Sequence, residues 1–512
     1  MFTPEMFANL FSTHAIIGLL IGTVGGFLIG VLPGMTATMG IALLIPFTFG
    51  MEPAAGLIML CAIYGSAVYG GAIPAILLHT PGTPASAATA KDGYELTLKG
   101  DGYRTIGVAT VSTVFGGVLG VLVVIFLTPP LARLGLRFNA PEFFLIAILG
   151  LSIIGSLAGD NPIKGLMAGV LGLAIALIGF DTVFGVARFT YQIPALEGGI
   201  QMVPALIGLF SISQVLVLAE DFGSDKKTKV VGELRGKFLP PLPESIANIP
   251  NLIRSTFVGI VVGIIPGAGA DIGAWLSYNE AKRFSKNRQN FGKGAIEAVY
   301  AAESANNATA AGSLIPLLAL GIPGGAAVAV LMGGMTIQGL TPGHNLFVEH
   351  AAITYAILFG FLISKILAGV VGFLIAKPAV RLARVPSLYL VPIIVVFSAV
   401  GTFALNMSMF DITVMAVFGI LGYLMRKTGF PTAPVVLAII LGPMAEGGFQ
   451  RSLLMARGEN LFTFFMGRPF SVPIILLIVL SLFSPLITKA VQKRSSVKKQ
   501  AVTEKAEESQ DE

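Results

Sequence analysis

No aspartate, glutamate, lysine or arginine occurs between Glu5 and Glu52, between Glu52 and Lys91, or between Glu303 and Glu349. About 20 apolar residues cross the hydrocarbon core of a bilayer, so each of these gaps is long enough to do so. Charge is scarce elsewhere too: 12% of the 512 residues are charged and 54% are hydrophobic, against about 25% charged in soluble domains. A polytopic membrane protein is expected. Backbone groups in lipid must pair internally, which leaves helical bundles and closed barrels. The apolar runs lack the alternation of barrel strands, and an all-α bundle follows.

Two uncharged stretches share an unusual grammar. One opens at Gly30-Val31-Leu32-Pro33-Gly34 and the other at Gly263-Ile264-Ile265-Pro266-Gly267, and in each a further glycine follows six residues on, at Gly40 and Gly273. Each later carries a proline seven residues before a Pro-Gly pair, Pro74 before Pro81-Gly82 and Pro316 before Pro323-Gly324. Within a helix, glycine costs roughly 1 kcal/mol and proline roughly 3. Close helix packing through small residues accounts for most of the 62 glycines, as at Gly116-Gly117 with Gly120, or Gly165, Gly169 and Gly172. It does not account for Pro-Gly pairs inside apolar runs, which are read as breaks in membrane helices.

The chain then divides as 1–219, a first transmembrane repeat; 220–251, a polar linker with Lys226-Lys227, Lys229, Arg235 and Lys237; 252–488, a second repeat; and 489–512, a charged tail. Late in each half, Val203-Pro204-Ala205-Leu206 and Ala433-Pro434-Val435-Val436 fall in similar places. Met1 to Thr13 lacks a basic region, so the first span is expected to be retained rather than cleaved. Residues 91–104 and 279–297 read as polar connections, and further spans are placed at 105–128, 142–158, 163–180, 200–219, 351–376, 386–405, 410–425, 430–443 and 470–488. Basic clusters at 226–237, 282–293 and 489–499 would all be cytoplasmic by the positive-inside rule. Inversion of the halves, each with an odd number of spans, conflicts with that placement, so inversion is a hypothesis here.

Paired interrupted helices in two halves point to a secondary transporter's binding site. A helix that restarts within the membrane presents unpaired amides and roughly half a positive charge, enough to attract an anion without lysine or arginine. The breaks at Pro33, Gly34, Pro81, Gly82, Pro266, Gly267, Pro323 and Gly324 are therefore the substrate-binding candidates, with Thr36, Thr38, Thr80 and Thr83 as hydroxyl donors. Asn306 and Asn307 offer both donors and acceptors and suit a substrate or a cation. For each of these side chains, hydrogen bonding between helices is the alternative reading. Asp271, Glu303, Ser304 and Thr309 are the candidates for ion coupling, by a transported sodium or by a proton. Lys365, inside an apolar run, pairs with a buried acid, binds substrate or reaches an interface. Lys164, Asp181 and Asp411 read as interfacial, and His79 is a weak candidate for titration.

Other chemistry has little support. Cys61 is the single cysteine, so no internal disulfide or cysteine metal cluster is expected, no cofactor is implied, and there is no phosphate-binding loop for ATP drive. A net charge of +6 spread over polar connections and tail does not suggest nucleic acid. Neither paired catalytic residues nor a metal motif marks an intramembrane enzyme, while an anion channel stays open as a contrasting class.

The segments Gly30-Val31-Leu32-Pro33-Gly34, Tyr64-Gly65-Ser66-Ala67-Val68-Tyr69-Gly70-Gly71, His79-Thr80-Pro81-Gly82, Pro266-Gly267-Ala268-Gly269, Ala305-Asn306-Asn307-Ala308, Gly422-Tyr423-Leu424-Met425-Arg426-Lys427 and Gly429-Phe430-Pro431 together resemble the large permease subunit of the tripartite tricarboxylate transporters, the TctA family. The likeness runs over essentially the whole length. Where the family pattern often has proline before a glutamate, this chain has Ala302-Glu303. The resemblance implies uptake of carboxylates such as citrate across a bacterial inner membrane, driven by an ion gradient. It also implies a small membrane subunit and a periplasmic solute-binding protein as partners. Asn, Thr and carbonyl groups favour sodium, whereas Asp271 and Glu303 keep protons open.

Overall fold

A computed structural model describes residues 3–32, 34–135, 137–152, 162–181, 183–220, 236–265, 269–382 and 387–479. The first half comprises α1 Pro4–Leu10, α2 Thr13–Val31, α3 Ala37–Thr48, α4 Pro53–Gly70, α5 Ala72–Leu78, α6 Ser86–Leu98, α7 Gly102–Gly135, α8 Ala140–Ser152, α9 Pro162–Ala176 and α10 Met202–Glu220. The second comprises α11 Ile249–Ile264, α12 Gly269–Phe284, α13 Ile296–Gly312, α14 Leu314–Leu320, α15 Ala326–Ile337, α16 Ala351–Leu382, α17 Ser387–Asn406, α18 Met409–Lys427 and α19 Ala433–Ala456. Among the described residues, eight helices are long and apolar enough to cross a membrane. The protein is an all-α, multi-pass membrane protein. Phe126, Phe257, Leu374 and Val396 lie exposed on its outer surface, where lipid replaces water as solvent.

Two helices form the centre. Every residue of α4 from Ala54 to Gly70, and of α13 from Ala298 to Gly312, is buried. A helix buried on all sides carries no amphipathic stripe, so neither faces lipid. Small residues let neighbours approach them: a Cβ on Gly30 of α2 would lie 2.2 Å from the Ala67 carbonyl, and one on Gly116 of α7 2.2 Å from the Ser304 carbonyl. Gly117 meets Lys365, Gly120 meets Ala308 and Ala311, and Gly172 meets the Val435 carbonyl. The packing role expected of these glycines is what the structure has.

The short helices that follow the central pair, α5 and α14, end in the same way. The Pro74 carbonyl accepts the N–H groups of His79 and Thr80, and the Pro316 carbonyl accepts those of Gly321 and Ile322. His79 (φ 53°) and Gly321 (φ 75°) adopt the left-handed conformation that closes each helix. The following Pro-Gly stops the helix from resuming, and its glycine is needed for space. A Cβ on Gly82 would fall 2.6 Å from the Gly30 carbonyl oxygen, and one on Gly324 2.7 Å from the Ser313 oxygen. Gly82→Ala and Gly324→Ala are each expected to cut the yield of monodisperse protein in size-exclusion chromatography several-fold. Gly25→Ala, whose new methyl meets nothing within 4 Å, should leave the yield unchanged; equal yields from all three variants would refute this account of the breaks.

Some expectations are corrected. Residues 91–98 belong to α6 rather than to a polar connection, and residues 279–284 belong to α12. The carboxylate of Asp92, fully buried, accepts the N–H groups of Gly292 (2.8 Å), Gly294 (2.9 Å) and Ala295 (2.7 Å) and the Tyr278 hydroxyl (2.7 Å). Asp411 is buried at the start of α18 and accepts from Asn406 Nδ2 at 2.8 Å. Asp181 sits in a two-stranded hairpin, β1 Gly179–Phe180 with β2 Ala187–Arg188. There the N–H groups of Phe184 and Val183, with Gln450 and Arg188 beyond, hold its carboxyl below the usual range. The span placed at 430–443 extends from Ala433 to Ala456. Residues 153–161, residues 221–235 of the 220–251 linker and the 489–512 tail lie outside the described residues.

Candidate functional site

Four helices begin at one cavity of about 410 Å³ between the halves. Thr36, Ala37 and Thr38 bring the start of α3; Thr83, Pro84 and Ala85 that of α6; Gly269, Ala270 and Ile272 that of α12; and Gly324, Gly325, Ala326 and Ala327 that of α15. The first N–H groups of a helix have no partner within it, and each start carries about half a positive charge. Thr36 Oγ1 accepts the Met39 N–H at 3.2 Å, which fixes the entry to α3, and Thr83 Oγ1 meets Ser86 Oγ at 2.8 Å. None of the described lining residues is acidic. The helix starts are electropositive, and no lysine stands among the described lining residues.

The central helices and the turn after α13 add to the wall. Tyr64 of α4 and Asn306, Thr309 and Ser313 reach it, with the Tyr64 hydroxyl 3.2 Å from Ser313 Oγ. Asn306 is fully buried, yet among the described residues neither its Oδ1 nor its Nδ2 has a hydrogen-bond partner. An amide left so costs folding energy of roughly 1–3 kcal/mol. A ligand in the cavity can supply both missing partners.

Of the sequence candidates, Thr36, Thr38, Thr83, Asn306, Thr309 and Gly324 therefore meet at one cavity wall. The others stand behind or beside it. Gly34 (φ 80°) faces Gln214 and Leu218, Thr80 Oγ1 donates to the Leu78 carbonyl at 3.1 Å, Pro81 is exposed, and Gly82 donates its N–H to the Gly71 carbonyl. Pro323 is buried in the second break. Ser304 Oγ lies 2.8 Å from Thr256 Oγ1, tying α13 to α11, and Glu303 Oε1 accepts from the Thr89 hydroxyl of α6. Pro33, Pro266, Gly267 and the side chain of Asp271 lie outside the described residues.

Asn307 turns away from the cavity. Its Oδ1 accepts from Lys365 Nζ at 3.2 Å, and its Nδ2 donates to Thr113 Oγ1 at 3.0 Å and to the Glu303 carbonyl at 3.2 Å. Lys365 is fully buried; its ammonium lies 3.5 Å from the Gly65 carbonyl and 4.9 Å from the centre of the Phe361 ring. The lysine thus meets Asn307 rather than reaching an interface. Arg426, which the sequence marked only as part of a segment, also lines the cavity. Arg426 is exposed, and nothing in a helix-terminal Arg-Lys pair marks which cation lines the cavity.

Interrupted apolar helices whose restarts meet at a polar cavity define the architecture of a multi-pass membrane transporter. Residues 16–437 match the tripartite tricarboxylate transporter TctA family, and the chain belongs to that family. The family forms the large subunit of transporters that also comprise a small subunit and a binding protein. Two relatives come from Agrobacterium vitis. The "Uncharacterized 52.8 kDa protein in TAR-I ttuC' 3'region" is 37% identical over 444 residues, 86% of this chain and 87% of its own. The "Uncharacterized protein in TAR-II ttuC' 3'region" is 34% identical over 239 residues, 47% of this chain and 98% of its own. No solved structure matches the chain.

Proposed function

We propose that this chain is the permease through which a binding-protein-dependent secondary transporter imports tricarboxylates such as citrate, or related carboxylates, across a bacterial inner membrane. The observation that carries this reading is the meeting of four helix starts at a cavity with Asn306, which has no side-chain partner among the described residues, and with no acid among the described lining residues. Thr36, Thr38 and Thr83 supply hydroxyls to the bound carboxylate, and the glycines of the breaks let it approach the backbone. A small membrane subunit and a periplasmic solute-binding protein complete the transporter. Transport is driven by an ion gradient, with sodium favoured because hydroxyl, amide and carbonyl oxygens suit it. Asp271, Glu303, Ser304 and Thr309 are the residues proposed for coupling. A second reading, another organic acid moving with protons, rests on Glu303, a fully buried carboxyl beside Thr89.

The test is uptake of labelled citrate into vesicles holding the chain with its small subunit and binding protein, with sodium and proton gradients imposed separately. Accumulation against the citrate gradient under sodium alone is expected. Accumulation under protons alone would move coupling to Glu303 and Asp271, and equilibration without accumulation would make the protein an anion channel.

A further inference from the structure

We infer that Arg426 is the specificity-determining residue of the cavity, holding a second carboxylate of the substrate and so favouring di- and tricarboxylates over monocarboxylates. This rests on the reading of the cavity as a carboxylate site. Two adjacent cations end α18, and the structure treats them differently. Lys427 pairs with the Glu220 carboxylate at 2.5 Å. Arg426 donates instead to the neutral Gln214 Oε1, and among the described residues no carboxylate forms a salt bridge with it. Its charge is held in place without being neutralised.

The tether places that charge. Gln214 lies on α10 beside the first break, where its Nε2 would stand 3.3 Å from a Cβ on Gly34. Arg426 is therefore fixed on the side of the cavity where α3 begins, while the buried Asn306 amide stands in the wall supplied by α13. Asn306 and the helix starts can satisfy one carboxylate with neutral donors. A second carboxylate of the same substrate needs a partner of its own, and the planar guanidinium of Arg426, exposed but tethered at the cavity, can bind it with two parallel hydrogen bonds. A ligand without a second carboxylate cannot form these bonds and gains nothing from Arg426.

The experiment uses the full-length chain with its small subunit in nanodiscs. Apparent Kd values for citrate, succinate and propionate are taken from ligand-induced thermal shifts for the wild type, Arg426→Gln and Arg426→Lys. The wild type should bind citrate and succinate more tightly than propionate. Arg426→Gln should weaken citrate and succinate by about tenfold or more, as expected for a lost charge-assisted hydrogen bond, and propionate by less than about twofold. Arg426→Lys should fall between. If Arg426→Gln folds poorly, Gln214→Leu keeps the cation but frees it, and should lower the same citrate-to-propionate ratio. Equal loss for all three ligands, or none for citrate, overturns the role of Arg426 while leaving the cavity a carboxylate site. A wild type that binds none of them overturns both readings.

Discussion

Asn306→Leu is expected to reduce citrate uptake more than about tenfold and, at the same time, to leave the solubilised protein at least as heat-stable as the wild type. The amide is fully buried with both polar ends unpartnered, so an apolar side chain of similar size removes a folding cost of roughly 1–3 kcal/mol. The bound carboxylate then loses a donor, and each 1.4 kcal/mol lost is a tenfold weakening. The adjacent substitution has the opposite stability sign. Asn307→Leu deprives the buried Lys365 ammonium of its 3.2 Å acceptor and frees Thr113 and the Glu303 carbonyl. Hydrogen bonds to charged groups contribute roughly 1.5–3 kcal/mol, so the Asn307 variant should unfold at clearly lower temperature. Thermal unfolding in detergent beside vesicle uptake reads both. Destabilisation by Asn306→Leu comparable to that by Asn307→Leu would mean that Asn306 is a packing residue with partners of its own.

The contrast between these neighbours marks where sequence stops being informative. The breaks were legible because proline and glycine act locally: Pro74 and Pro316 set the carbonyl that caps each helix, and Pro81-Gly82 and Pro323-Gly324 prevent continuation. The side on which a polar residue falls is decided by packing. Asn306 and Asn307 stand about 100° apart on α13, and only the surrounding helices determine that one meets the cavity and the other Lys365. Ser304, a candidate for ion coupling, forms an interhelical hydrogen bond with Thr256, a bond open to every polar residue in such a bundle and one that its sequence position does not announce. Arg426 sits in a segment recognised from sequence, yet its place at the cavity depends on Gln214, more than 200 residues earlier. Long-range partners of this kind leave no local trace.

Asp92→Ala should lower the thermal midpoint by an amount matching roughly 3 kcal/mol or more, among the largest effects of any single substitution outside the cavity. In sequence Asp92 lies among Lys91, Glu95, Lys99 and Asp101 and reads as solvated. In the fold it is fully buried and gathers the loop that joins α12 to α13. Its removal orphans the Ala295 N–H, which is buried, and those of Gly292 and Gly294, which are half-buried and recover part of their bonding from water. It also frees the Tyr278 hydroxyl. Buried unmet donors cost about 1–3 kcal/mol each, and total stability is about 5–15 kcal/mol. Lys91, stacked 5.5 Å from the centre of the Tyr278 ring, would lose its support as well. Asp92→Asn keeps one acceptor oxygen but turns an NH2 group toward donors, so it should recover only part of the loss. The consequence reaches the cavity, because Asp92 fastens α6 of the first half to the loop after α12 of the second, and the starts of both helices line it. A variant that survives folding should therefore bind citrate more weakly without touching it, whereas an unchanged midpoint would show that water replaces the carboxylate at the loop.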